Sequence, residues 1–294
     1  MEKSPNKLSK VYFTPTIKPE KLIELYDLLG KKLPGKVAVK IHSGEHDKGY
    51  IIQPDFMKPL VDYVKGTIVE CNTAYEGRRN TNDAHWKLLK QHGFTNVAKV
   101  DLMDEHGDME LPVPNGLKIK KNYVGKNLAL YDSVLVLSHF KGHAMGGFGG
   151  AMKNVAIGMA SSFGKLNVHG AGIIEHLWTC PQDDFLESMA DAVKSIYDYT
   201  KGNMVFINVM KDMSVDCDCA SNPTPPAVED MGILASLDPV ALDQACVDKI
   251  YNYPDKEKTR TLRERMEAKH AIHILESGEK VGIGSRKYEL IEIE

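Results

Sequence analysis

The chain has 294 residues, and 37 lysines and arginines against 40 aspartates and glutamates give a formal net charge of −3. With 43% hydrophobic and 26% charged residues, it has the composition of a globular protein, which excludes a disordered, collagen-like or coiled-coil chain. Because the net charge is close to zero, the composition does not indicate a basic binding surface and predicts neither a nucleic-acid nor an anionic-membrane partner.

Strands and helices alternate along the predicted secondary structure. The predicted strands span residues 36–41, 67–71, 97–102, 133–138, 204–209 and 288–293. The predicted helices span residues 54–63, 81–92 and 183–199, then one opened by Asp238 and Pro239, then 260–275. This alternation predicts an α/β fold with a mainly parallel sheet, flanking helices and a ligand cleft at the carboxyl ends of the strands. We expect one unit over residues 1–294, and a division into two lobes near residues 166–182 is the alternative.

The first residues and the cysteines bear on localisation. Residues 1–10 lack the apolar run of a signal peptide, and no stretch approaches the roughly 18 apolar residues of a membrane span. Five irregularly spaced cysteines do not suggest a secreted disulfide framework. We therefore expect a cytoplasmic protein without a membrane partner.

A glycine-rich segment, residues 139–150, follows the strand 133–138 and is expected to be an irregular loop that leads into a helix. Glycines let the backbone approach a ligand closely, and N–H groups at a helix start suit an anion. The segment fits neither a Walker A loop nor a dinucleotide-binding motif. Its expected substrate or cofactor contacts are Lys141, Gly146, Gly147, Gly149, Gly150 and Asn154.

The candidate catalytic residues of this segment are His139, His143 and Lys153. The two histidines are four residues apart and could bind one metal if the turn between them were helical. They could also transfer protons. The alternative is that one imidazole pairs with the backbone and the other is exposed.

Cys217 and Cys219 form a second candidate metal site. Both thiols can reach one soft metal, but two ligands do not complete a tetrahedral site. The remaining ligands would come from His139, His143, His169 or Asp216. The alternative is a pair of reduced thiols in a turn. Cys71, Cys180 and Cys246 are interpreted as structural residues.

Polar residues also follow two other predicted strands. They are Lys40, His42 and Glu45 after the first, and Asn72, Thr73, Tyr75 and Arg79 after the second. Because the carboxyl ends of parallel strands meet at one edge of a sheet, we expect them to line the cleft together with the glycine-rich segment. In particular, one pocket should contain Lys40, His42, Asn72, His143 and Lys153. Turn and cap chemistry is the alternative.

Several stretches together resemble the domain-of-unknown-function family 362, which is described as an iron–sulfur centre protein family. The matching stretches are residues 39–45, 72–75, 79–80, 85, 92–94, 139–154, 158, 164–165, 216–219 and 232–243. Many members carry an inserted ferredoxin-like module, but here the corresponding residues 166–182 hold a single cysteine, Cys180. No [4Fe–4S] cluster is therefore expected.

A more distant likeness is to nickel-dependent lactate racemases. Gly142-His143 and the run from Gly149 to Lys153 are similar in outline to stretches of those enzymes. The resemblance implies that His143 and Lys153 face a cofactor or a substrate.

The preferred function is an enzyme that binds a small anionic substrate, or a cofactor such as a transition metal, in a cleft rich in lysine, histidine and glycine. One alternative is a metal-handling or redox accessory protein that uses Cys217 and Cys219 and docks a redox protein partner. Another is a binding module without chemistry. The sequence names neither the substrate nor the metal.

Overall fold

A computed structural model gives the structure of residues 8–45, 50–216 and 225–294. The strands in this part are β1 (Ser9–Thr14), β2 (Val37–Lys40), β3 (Thr67–Glu70), β4 (Val100–Leu102), β5 (Asp108–Pro112), β6 (Lys121–Gly125), β7 (Ser133–His139), β8 (Lys141–His143), β9 (Gly147–Gly149), β10 (Met204–Met210), β11 (Gly232–Ser236) and β12 (Tyr288–Glu292). The helices are α1 (Pro19–Leu28), α2 (Pro54–Tyr63), α3 (Asn82–Gln91), α4 (Phe94–Val97), α5 (Ala151–Ala156), α6 (Ser162–His169), α7 (Gln182–Tyr199), α8 (Pro239–Tyr251), α9 (Arg260–Ala268) and α10 (His273–Lys280). Within these ranges no helix has the length and apolar character needed to cross a membrane.

Eight strands form one sheet in the order β12-β1-β11-β10-β7-β2-β3-β4. The neighbours are parallel except where β11 is involved, since β11 is antiparallel to both β1 and β10. The hairpins β5–β6 and β8–β9 lie outside this sheet. The expected α/β fold with a mainly parallel sheet is confirmed.

Helices cover both faces of the sheet. Because side chains alternate along a strand, Val37 and Val39 of β2 enter the core that contains residues of α1 and α2. Ala38 enters the opposite core, which contains residues of α5, α7 and α8. Lys40 continues the same alternation and therefore lies on the α5 side of the sheet.

The chain reverses its direction across the sheet between β2 and β7. β3 and β4 follow on one side of β2, whereas β7 and β10 lie on the other side. In an open parallel sheet, such a reversal leaves a crevice at the carboxyl ends of the two central strands. Lys40 ends β2 and His139 ends β7, so both residues lie at this crevice.

Local signals placed several helix ends correctly. Thr81 caps α3 by accepting a hydrogen bond from the Ala84 amide at 3.3 Å, and Gly93, after α3, adopts φ +85°. Asp238 caps α8 by accepting from the amides of Val240 and Ala241, both at 3.0 Å. Each cap satisfies amides or ends a helix through a short-range interaction, so the predicted bounds of the helix 81–92 and the predicted helix opening at Asp238 agree with the structure.

Other predicted boundaries are wrong. The helix expected over 260–275 is two helices, α9 and α10, because His270 between them adopts φ +46°. The strand expected from residue 97 begins at Val100, since residues 94–97 form α4. The glycine-rich segment, expected to be irregular, contains the hairpin β8–β9. Apolar spacing does not reveal a single left-handed residue or a strand of three residues.

Candidate functional site

A cleft of about 70 Å³ lies at the carboxyl ends of β2, β3 and β7. The expected binding and catalytic residues that line it are Lys40, His42, Thr73, Tyr75, Arg79, His139, Lys141, Gly149, Gly150, Lys153 and Asn154. Further lining residues, which sequence reasoning did not propose as site residues, are Glu70, Cys71, Ser138, Ile157, Gly158 and Lys165. The expected residues Glu45, Asn72, His143, Gly146 and Gly147 are not part of the lining. The roles assigned to all of them stay predictions.

Lys40 and Glu70 form a buried ion pair in this cleft. Their side chains are 1% and 2% exposed, and Lys40 Nζ lies 2.8 Å from Glu70 Oε2. Lys40 also donates to Asn154 Oδ1 at 3.0 Å and to the carbonyl of Ile41. Gly158 leaves the space for this lysine, because a Cβ at that position would lie 2.5 Å from Lys40 Cε.

Glu70 is held ionised by its surroundings. Ser43 donates to Glu70 Oε1 from its backbone amide at 2.8 Å and from its hydroxyl at 3.1 Å. Arg79 Nη1 lies 3.9 Å and His42 Nδ1 4.0 Å from the same oxygen. Burial alone would raise the pKa of Glu70, but the positive charges of Lys40 and Arg79 hold that pKa well below its usual range.

Two expected binding residues, Glu45 and Asn72, do not line the cleft but contact side chains around it. Glu45 Oε2 lies 2.8 Å from Nε of the buried Arg79, so it fixes the guanidinium that reaches the cleft. Asn72 donates to Asn82 Oδ1 at 2.6 Å, and its own Oδ1 lies 3.0 Å from His85 Nδ1. Burial lowers the pKa of His85 to about 3, so this imidazole is neutral, and its Nε2 lies 3.3 Å from the hydroxyl oxygen of Ser43.

His139 and Lys141 form a second buried polar pair. Lys141 Nζ lies 3.1 Å from His139 Nδ1, and His139 Nε2 lies 2.5 Å from the carbonyl of Lys211. A carbonyl only accepts, so we assign the ring proton to Nε2, which leaves Nδ1 to accept from the ammonium of Lys141. A metal ligated by either nitrogen of His139 would replace one of these bonds.

His143 lies in β8 and is held by the backbone of the following turn. Its Nδ1 accepts from the amides of Met145 at 3.1 Å and Gly146 at 3.0 Å, so we place the proton of the neutral ring on Nε2. Joint metal binding by His139 and His143 was expected only if the turn between them were helical. The turn is not helical, because the two residues belong to the extended strands β7 and β8, and a metal shared by these two histidines stays a prediction.

The start of α5, after the glycine-rich segment, is capped by Asp243. Its carboxylate accepts from the amides of Ala151 at 2.8 Å and Met152 at 2.9 Å, and from Asn208 Nδ2 at 2.7 Å. A Cβ at Gly150 would lie 2.4 Å from Asp243 Oδ1, so glycine is needed for this close approach. An anionic ligand at the amides of Ala151 and Met152 would have to displace Asp243, and the expectation that an anion binds this helix start stays a prediction.

Two lysines complete the cleft. Lys153 is half-buried, and no described carboxylate pairs with it. Lys165 is buried, donates to the carbonyl of Ala160 at 2.6 Å, and has a pKa lowered by burial. Burial likewise raises the pKa of the neighbouring Cys71 thiol well above its usual value, so the thiol is protonated. One sequence signal pointed to Lys165, namely its place in the family-like stretch 164–165.

Cys217 and Cys219 lie outside the described residues, so the metal site proposed for them stays a prediction. Asp216, the last described residue before them, pairs with Arg265 at 2.8 Å. His169, another candidate ligand, is buried, and its Nδ1 lies 2.7 Å from a carbonyl of α6. Burial lowers the pKa of His169 to about 4.

Residues 37–248 match the family model described as "Domain of unknown function (DUF362)". The chain belongs to this family. The matched region contains every residue that lines the cleft of this DUF362 protein. No curated protein matches the chain.

Two solved structures are similar to the DUF362 chain. The lactate racemase apoprotein from Thermoanaerobacterium thermosaccharolyticum is 15% identical with a TM-score of 0.41, and the match covers 67% of this chain and 50% of that protein. A protein from Thermotoga maritima is 12% identical with a TM-score of 0.40, and the match covers 86% of this chain and 58% of that protein. The chain thus spans between half and three-fifths of the length of these structures.

Proposed function

We propose that this protein is an enzyme that binds a small anionic substrate or cofactor, through a carboxylate or phosphate group, in the cleft above β2, β3 and β7. The charge of the cleft supports this proposal. The described lining residues with a cationic side chain are Lys40, Arg79, Lys141, Lys153 and Lys165, and the one with a carboxylate is Glu70. A concave surface with this excess of positive charge attracts anions.

Lys153 carries the proposal. Glu70 is already engaged by Lys40 and Arg79, and Glu45 is engaged by Arg79. Neither carboxylate is therefore available to neutralise Lys153, which has no carboxylate partner among the described residues. A bound anion would supply that partner, and a charge-assisted hydrogen bond is stronger than a neutral one.

Lys165 is our candidate for the proton-transfer group. Because burial lowers its pKa, a larger fraction of this amine is neutral than for an exposed lysine, as a base or nucleophile requires. Lys165 thereby joins the expected catalytic residues His139, His143 and Lys153. The contact between Lys141 and His139 supports a positioning part for His139, in which the imidazole orients the ammonium toward the anion.

The binding step can be tested by isothermal titration calorimetry with inorganic phosphate and with malonate at low salt. The two probes separate a phosphate from a dicarboxylate ligand. We expect at least one to bind, with an affinity at least about tenfold lower in Lys153→Gln, which loses one charge-assisted hydrogen bond. Lys87→Gln is the matched control, because Lys87 is an exposed lysine of α3. Equal affinities in both variants, or no binding of either probe, would contradict the proposal.

Incubation with a mixture of phosphorylated and carboxylated metabolites then separates an enzyme from a binding module. Mass spectrometry should find one anion consumed by the wild-type protein and spared by Lys165→Gln. Retention of an anion without conversion would support the non-catalytic binding module instead.

A further inference from the structure

A cluster of histidines and carboxylates lies outside the cleft, where α7 meets the turn between α9 and α10. Asp183 and Glu187 are one helical turn apart near the start of α7. His270 lies in the turn, His273 begins α10, and Glu276 follows one turn later. None of these residues lines the cleft or has a part in the proposed function.

The side chains of this cluster are in mutual contact. Asp183 Oδ1 lies 2.7 Å from His270 Nδ1, and the two imidazole rings stack with centroids 5.1 Å apart and planes 17° apart. His273 Nε2 lies 3.2 Å from Glu187 Oε1, and His273 Nδ1 lies 3.3 Å from Glu276 Oε2. One nitrogen from each histidine and one oxygen of Asp183 all lie within 4.8 Å of one another.

We propose that Asp183, His270 and His273 bind one divalent transition-metal ion of the zinc class. Around a tetrahedral zinc with bonds of about 2.1 Å, neighbouring ligand atoms are about 3.4 Å apart. The three atoms found here within 4.8 Å would need to approach by little more than 1 Å, which rotation of half-exposed side chains can provide. Two imidazoles with one carboxylate suit zinc, nickel or cobalt, whereas magnesium and calcium prefer oxygen ligands.

The charges around the cluster favour a cation. Asp183, Glu187 and Glu276 are three carboxylates around two imidazoles. The described lysine and arginine side chains that pair with these carboxylates are Lys118, 3.6 Å from Glu187, and Arg286, 3.0 Å from Glu276. A divalent ion between the imidazoles would offset the remaining negative charge. One ring nitrogen of His273 would bind the metal in place of its carboxylate partner. The other nitrogen would keep its hydrogen bond to Glu187 or Glu276, which would orient the ring as carboxylates commonly do for metal-binding histidines.

The turn that carries His270 is fixed in place before any metal binds. Ala271, the next residue, is buried, and a Cβ at Gly147 of β9 would lie 2.4 Å from the Ala271 Cβ. The turn therefore packs directly on the hairpin β8–β9. Because the turn is already ordered, metal binding would cost little backbone entropy.

Calorimetric titration of zinc chloride tests the proposal. The protein should carry no histidine tag and should have the substitutions Cys217→Ser and Cys219→Ser, which remove the other candidate metal site. We expect one zinc per chain, and affinity more than about tenfold lower in both His270→Ala and His273→Ala. His106→Ala, which removes an exposed imidazole elsewhere, should leave the affinity unchanged. One of Glu187→Gln and Glu276→Gln, whichever removes the carboxylate that keeps the ring N–H of His273, should weaken binding by about tenfold.

Two results would overturn the metal site. One is the absence of zinc binding in the Cys217→Ser/Cys219→Ser protein. The other is an affinity in His270→Ala and His273→Ala equal to that in His106→Ala. Neither result bears on the anion-binding proposal, because that proposal is tested by phosphate and malonate binding and by the Lys153→Gln variant.

Discussion

Two buried carboxylates, Glu70 and Asp243, lie beside the cleft, and their environments shift their pKa values in opposite directions. Glu70, at the end of β3, contacts the cations Lys40 and Arg79, and its pKa lies well below the usual range. Asp243, in α8, accepts three hydrogen bonds from neutral N–H donors, and burial still raises its pKa to about 6. Neutral donors therefore offset the burial of a charge less well than a paired cation does.

This difference between the two carboxylates affects which cations of the cleft remain available for a ligand. On the Glu70 side, Lys40 and Arg79 are neutralised by the chain itself. At the start of α5, Asp243 occupies the amides of Ala151 and Met152, and Lys153 has no carboxylate partner among the described residues. Positive charge therefore remains available for a ligand at Lys153.

The largest expected effect is that of Glu70→Gln. This substitution leaves Lys40 charged and buried without its ion-pair partner, which should lower the free energy of unfolding by about 3–5 kcal/mol. Guanidinium denaturation at pH 7 measures the loss. Glu110→Gln is a matched control, because Glu110 forms an exposed pair with Lys121, and it should change stability by less than about 0.5 kcal/mol. A loss below about 1 kcal/mol for Glu70→Gln would contradict the charge-pair account.

Asp243→Asn should cost less, about 1–3 kcal/mol, because no buried cation loses its partner. The amide has one oxygen for the donors Ala151, Met152 and Asn208, so at least one N–H group loses its acceptor. Guanidinium denaturation at pH 7 also measures the loss of stability in Asp243→Asn. A loss of stability larger than that of Glu70→Gln would contradict the claim that the ion pair of Glu70 contributes more than the hydrogen bonds of Asp243.

The two carboxylates should also give opposite pH dependences. Asp243 has a raised pKa, so its contribution to stability is present below its usual value of 3.8 and is lost as the pH rises through about 6. Glu70 has a lowered pKa, so its contribution is present above its usual value of 4.5 and is lost as the pH falls below it.

Unfolding free energies at pH 4, 5, 6 and 7 test this difference. From pH 7 to pH 4, the wild-type protein should gain about 2 kcal/mol relative to Asp243→Asn. Its advantage over Glu70→Gln should stay constant over most of this range and shrink below about pH 4.5. Parallel profiles for both variants would show that the two environments do not differ.

The smallest effect is expected for Ser43→Ala, about 1 kcal/mol. The variant loses the hydroxyl bond to Glu70 and keeps the bond from the backbone amide, so the ion pair with Lys40 survives. Denaturation at pH 7 again gives the value. A loss as large as that of Glu70→Gln would mean that hydrogen bonds, and not Lys40, keep Glu70 ionised.

The sequence predicted the position of the cleft better than it predicted the full set of residues that line it. Lys40, His139 and Lys153 were expected at strand ends or beside the glycine-rich segment, and all of them line the cleft. Glu70 was missed because it lies inside the predicted strand 67–71, and only the polar residues after that strand were expected to line the cleft. Lys165 was missed as a site residue because its segment, α6, lies between the glycine-rich region and α7, where no cleft contact was expected.

The sequence by itself determined the features that depend on neighbouring residues. The alternation of strands and helices, the caps at Thr81 and Asp238, and the polar residues after β2 and β3 all follow from short-range patterns. Tertiary structure alone decided the antiparallel placement of β11, the pairing of Lys40 with Glu70, and the capping of α5 by Asp243. Asp243 is 92 residues away from the amide of Ala151 that it accepts from. Such contacts arise when the whole chain packs, and no local spacing encodes which distant side chain will meet a buried charge or an open amide.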